Sequence, residues 1–172
     1  MSGNTQPIGV AFKDQLITGT PTNDNAPAGF LGEYIASTIP TGSAVSLTTA
    51  TPANIASIAL TSGDWDVDCQ VEFTPAASTS VTQSNAAMSL TSATLSTQPG
   101  GTVGIATLGP EPIMTINQAA AVPAAGYALA PTTVRVTVAQ SNNTATVFLV
   151  AQATFTVSTM AAFGSIRARR VR

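Results

Sequence analysis

The 172-residue sequence has no histidine, one cysteine, one tryptophan and one lysine. Without histidine there is no Ser-His-Asp or Cys-His nucleophile pair and no His-ligated zinc site. A single cysteine supplies neither a thiolate cage nor a disulfide framework. Charge is also scarce: six basic and eight acidic residues make up 8 % of the chain, against about 25 % in ordinary soluble domains. Long apolar runs are missing. The most apolar stretch, Ala119–Ala130, is mostly alanine and contains Pro123 and Gly126. It falls short of the roughly 20 residues that a membrane-spanning helix needs, so it reads as a loop or short strand. The opening Met-Ser-Gly-Asn-Thr-Gln-Pro lacks the basic and apolar stretches of a secretory signal. The expectation is a protein kept in the cytoplasm until assembly.

Small residues fill the chain instead: 71 of the 172 are Ala, Thr or Ser, and only 39 are Leu, Ile, Val or Phe. That apolar share lies just above the level of about 20 % below which highly charged chains stay disordered, and with a net charge of −2 the chain is expected to fold. A soluble monomer keeps a charged surface to stay apart from its neighbours. A nearly uncharged Ser/Thr/Ala surface suits permanent contact with other subunits, which points to assembly and away from catalysis.

The chain divides near residue 44. Residues 1–43 hold Pro7, Pro21, Pro27 and Pro40 and six glycines, with Ile8, Val10 and Phe12, Leu16 and Ile17, and Phe30 and Leu31 scattered between them. This reads as an extended arm that is ordered by docking. From 44 to 172 the signal is strand and turn. Val67, Cys69, Val71 and Phe73 alternate with Asp66, Asp68, Gln70 and Glu72, the period of a half-buried strand. Val134–Val138, Val147–Val157 and Gly164–Arg169 alternate likewise. Weaker candidates are Val45–Thr49, Ile55–Leu60, Ala87–Ala93, Val103–Thr107 and Ile113–Asn117, with turns such as Gln98-Pro99-Gly100-Gly101 between them. No window carries a helical stripe. The expected fold is all-β: an antiparallel β-sandwich of jelly-roll type with an extended N-terminal arm. Phe148 and Val150 on the outward parity of the long strand need a cover, from a neighbouring subunit or from this chain.

Candidate chemistry is thin. Asp64, Asp66 and Asp68 imitate the opening of a calcium loop, but its glycine and glutamate positions hold Cys69 and Pro75. These acids read as the solvent face of a strand, and no metal or cofactor site is expected. A carboxylate pair for glycoside cleavage would need a cleft and one raised pKa, which an exposed strand face does not supply. Cys69 has inward parity and reads as a small buried residue. Trp65 caps either the core or a subunit contact. Four of the six basic residues lie in Arg167-Ala168-Arg169-Arg170-Val171-Arg172. Arg167 and Arg169 fit a solvated edge that blocks strand pairing, or a contact with an acidic face of the same or another subunit. Nucleic acid would need basic residues spread over a face, and elsewhere there are only Lys13 and Arg135.

Gly63-Asp64-Trp65-Asp66-Val67, preceded by Thr51-Pro52-Ala53-Asn54-Ile55-Ala56-Ser57-Ile58-Ala59-Leu60, resembles a pattern in small tailed-bacteriophage virion proteins. The stretches Ala151–Thr156 and Phe163–Arg172 are similar to theirs as well. The resemblance covers residues 44–172 and implies a jelly-roll module, often trimeric, that decorates capsids or tips fibres. The expected function is therefore non-enzymatic: a capsid decoration (cement) or head-fibre protein on the virion surface, held on the major capsid protein through its arm. The alternative is a tail-fibre or spike tip that binds the host cell surface. Its partners would be the major capsid protein and two further copies of itself, with no membrane involved. The residues expected at partner contacts are Ile8, Val10, Phe12, Leu16, Ile17, Phe30, Leu31, Trp65, Phe148, Arg167 and Arg169.

Overall fold

A computed structural model describes residues 24–95, 102–104, 106–109, 112–122, 126–139 and 143–172. Antiparallel strands form two sheets packed face to face. The larger sheet has the order β1 (Tyr34–Ile39), β12 (Met160–Arg170), β4 (Gly63–Pro75), β10 (Val134–Val138), β7 (Ala106–Leu108), β6 (Thr102–Val103). Beside that path, β2 (Val45–Leu47) pairs with β12, and β9 (Tyr127–Leu129) pairs with β4. The smaller sheet has the order β3 (Ala53–Thr61), β11 (Thr144–Thr156), β5 (Ser80–Ser89), β8 (Ile113–Val122). Apart from β1–β2, β6–β7 and β9–β10, each successive strand lies in the opposite sheet. This is a β-sandwich.

Inward parity builds the core. Trp65, Val67, Val71 and Phe73 of β4 and Ile166 and Ala168 of β12 meet Val147, Leu149 and Ala151 of β11 and Ala86 and Met88 of β5, all fully or almost fully buried. Each large side chain so buried contributes about 1.5–3 kcal/mol. Phe73 stacks on Tyr127, with ring centroids 5.3 Å apart. The Tyr127 hydroxyl meets Ser84 Oγ across the sandwich at 2.5 Å.

Several sequence expectations change. The arm does not extend to residue 43: all six residues of β1 pair with β12, from Tyr34 opposite Arg169 to Ile39 opposite Gly164. The sandwich therefore starts before Tyr34, and a proline-rich stretch hid a strand too short to show a period. The strand expected at Ala87–Ala93 is β5, shifted to Ser80–Ser89, and Val103–Thr107 is two short strands. Ala119–Ala130 keeps to its expectation, holding the end of β8 and the short strand β9.

Candidate interaction site

Of the four C-terminal arginines, Arg167, Arg169 and Arg170 lie on β12, which is held between β1 and β4, so the edge reading of Arg167 and Arg169 is overturned. Register explains where their charge goes. Arg167 lies opposite Asp68 and Arg169 opposite Asp66 on β4, and Arg135 of β10 lies opposite Asp66 on the other side. Arg135 Nε donates to Asp66 Oδ1 at 2.9 Å. Arg167 Nε donates to Asp68 Oδ1. That bond, and then the carboxylate's charge, raises the Arg167 pKa further. Arg169 and Glu72, both exposed on this outer face, make no ion pair among the described residues.

Arg170 has the opposite fate. Inward parity with Ile166 and Ala168 buries it to 5 % exposure. Its guanidinium lies over Trp65, 4.3 Å from the ring centroid, a cation–π contact strengthened by loss of water. Nε donates to Glu33 Oε2 at 2.9 Å, and the two terminal nitrogens donate to Ser62 O and Thr61 Oγ1, each at 2.5 Å. Trp65 is fully buried, and its indole nitrogen donates to Thr61 O at 2.9 Å. Of its two expected roles Trp65 takes the core one, since it has no surface to offer a partner.

Asp64 is also buried, so the solvent-face reading fails for it. Arg172 pairs with its carboxylate at 2.7 Å, while Asp64 N donates to Arg172 O and Val171 N to Asp64 O. Together these contacts close one end of the sandwich and fix the chain that leads into β1. Gly32 N donates to Arg170 O, and Arg170 N to Glu33 O.

That lead-in is two successive β-turns. Phe30 N donates to Pro27 O and Glu33 N to Phe30 O, each at 3.1 Å. Gly29 and Gly32 hold the third position of each turn, with φ of 86° and 89°, the left-handed value that type II turns require there and that favours glycine. Glu33 Oε2 also accepts from Gly29 N at 2.8 Å. Two bulky apolar residues thus sit on a hydrogen-bonded platform rooted in a buried ion pair: Phe30 is 63 % exposed and Leu31 59 %.

At the far end of β1 the edge beside β12 is interrupted. β1 covers Gly164–Arg169 of β12 and β2 covers Met160–Ala162, with a single 3-10 turn, Thr41–Ser43, between them. The interruption falls opposite Phe163 and leaves a notch of about 220 Å³. Ile39, Pro40 and Phe163 line it together with the polar Thr38, Thr41, Gln70, Glu72 and Ser165 and with Gly164.

The outward face of the smaller sheet is covered by its own chain at the apolar spot. Val150 is fully buried, between Asn54 of β3 and Ala87 of β5 in the register. The loop after β5 crosses it: Asn54 Nδ2 donates to Ser92 Oγ, and Ala93 N to Asn54 Oδ1, each at 2.7 Å. Phe148, one pair along, stays half-buried. On the other side of Val150 runs an uncharged ladder in which Asn85 donates to Gln152 and accepts from Thr115, and Gln83 donates to Asn117.

Cys69 is buried as its parity implied. Burial, and then the charge of Asp68, pushes its thiol up to about 12, which keeps it protonated and unreactive. Among the described residues no three His, Cys, Asp or Glu side chains are grouped as metal ligands. Ile8, Val10, Phe12, Leu16 and Ile17 lie outside the described residues. The lock of buried Glu33, Asp64 and Arg170, with the exposed Arg172 on Asp64, has no local motif in the sequence. Arg170 shares the inward parity of Ile166 and Ala168, and that was the signal for it. No protein-family model matches the chain, and no curated protein or solved structure matches it either.

Proposed function

We propose that this chain is a non-enzymatic structural subunit of a bacteriophage particle. Its role is that of a capsid decoration (cement) or head-fibre protein on the virion surface, with the major capsid protein and further copies of itself as partners. The observation that carries the reading is the lock at Arg170. A buried ion pair and a cation–π contact are spent on fastening the root of an N-terminal segment, and that segment carries five of the apolar residues expected at contacts. Such a root lets a segment pull on a partner surface without peeling the sandwich apart. Scattered apolar residues in it supply burial at about 25 cal/mol per Å², and several copies acting together multiply affinity through effective concentration.

The strand order supports the jelly-roll type. With β1 and β2 as one interrupted strand, and β9 and β10 as another, eight strands divide into two four-stranded sheets of order β1/β2-β12-β4-β9/β10 and β3-β11-β5-β8; β6 and β7 extend the larger one. The attachment segment is the part of the arm ahead of the Pro27–Glu33 turns, because those turns and β1 are tied to the sandwich. Electron cryo-microscopy of the particle tests the reading. Density for this fold on the shell is the expected result, and density only at the tail tip would replace it with the host-binding alternative.

A further inference from the structure

We propose that copies of this chain associate head to tail along the β1 edge, with the Phe30–Leu31 turn of one copy seated in the Ile39–Phe163 notch of the next. Knob and notch lie at opposite ends of the same strand, about 20 Å apart at roughly 3.3 Å per residue. Neither can therefore satisfy the other within one copy. Scattered apolar exposure is ordinary. Here, however, two adjacent large side chains sit on a platform fixed by two turn bonds and a buried carboxylate, so little entropy is lost when they dock. The notch offers a matching recess: Ile39, Pro40 and Phe163 supply apolar surface among polar neighbours, with room for one large side chain.

Charge points to the same pairing. Arg169 lies beside the knob, opposite Tyr34 in the register, and has no ion pair among the described residues. Glu72 lines the notch and has none among the described residues either. Head-to-tail docking brings the unmatched cation of one copy to the unmatched anion of the next, whereas knob-to-knob docking would set arginine against arginine. Contacts of this kind are heterologous, so they close into a ring or propagate into a filament. The inference rests on the reading of the chain as one subunit among several and names the surface that joins them.

Sedimentation of the isolated full-length chain tests it without any particle, so failure to decorate shells and failure to self-associate are separate results. The wild type is expected to form a defined oligomer. The Phe30→Ala/Leu31→Ala pair is expected to weaken association by about 30-fold or more, the loss of one central aromatic anchor. Arg169→Glu and Glu72→Arg are each expected to weaken it, and the double charge reversal to restore it. These positions are exposed, so the fold is expected to survive, which circular dichroism checks. Cross-linking gives a second readout. Leu31→Cys and Thr41→Cys chains should form a disulfide when mixed and not when kept apart, since Cys69 is buried. A wild type that stays monomeric at several hundred micromolar, or reversals that do not rescue one another, would overturn the proposal.

Discussion

The two sheets of this sandwich share a core and differ in everything that faces outward. In the larger one, strands β4, β10 and β12 carry Asp64, Asp66, Asp68, Glu72, Arg135, Arg167, Arg169 and Arg170. In the smaller one, none of the four strands holds a charged residue. The contrast shows what a chain with 8 % charge does with it. Most of the larger sheet's charge is consumed internally, and the most buried part closes the end where the N-terminal segment joins. The smaller sheet satisfies its outer face with amides and hydroxyls and covers its apolar spot with its own loop.

The largest expected effect breaks the charged end. Arg170→Met leaves Glu33 buried and unpaired, and thermal or denaturant unfolding is expected to show a loss of about 3–5 kcal/mol. Adding Glu33→Gln should recover much of it, because the stranded charge is then gone.

The alkaline limb comes next, and it too belongs to the larger sheet. Cys69 is raised from an ordinary value near 9 to about 12, and burial raises Tyr127 as well, against the effect of its bond to Ser84. Between pH 9 and 12 the unfolded chain gives up the Cys69 proton while the folded chain keeps it. The contribution of this thiol is therefore complete below pH 9 and is lost as pH rises toward 12. Cys69→Ala should flatten that part of the stability curve, measured by denaturant titration at successive pH values.

Smaller changes sharpen the contrast. Asn85→Ala in the smaller sheet removes the centre of an amide ladder and is expected to cost about 1–2 kcal/mol, independent of salt. Arg135→Ala removes an exposed ion pair and is expected to cost under about 1 kcal/mol, less still in high salt. Equal salt dependence for the two would contradict the division drawn between the sheets.

Much of this was legible in the sequence, for physical reasons. Alternation fixes which face of a strand is buried, so β4, β10, β11 and β12 and the inward places of Cys69, Val71 and Leu149 could be read directly. Three things could not. β1 is six residues long and follows a proline-rich stretch, too short for a period to stand out. The strand neighbours of β12 are a matter of topology, and without them Arg167 looks like an edge guard and not the mate of Asp68. Arg170 and Glu33 are buried only because they meet across 137 positions of sequence, a distance no local pattern spans. The turns around Phe30 and Leu31 were hidden in the same way: Gly29 and Gly32 fit an extended arm equally well until the bonds from Pro27 to Phe30 and from Phe30 to Glu33 are seen.

The central claim, that a locked sandwich is fastened to a shell by the segment before it, is most directly tested by removing residues 1–23 alone. The shortened chain is expected to keep the wild-type unfolding curve, since Glu33 and Arg170 remain, and to lose binding to shells assembled from the major capsid protein in co-sedimentation. Undiminished binding by the shortened chain would contradict the account.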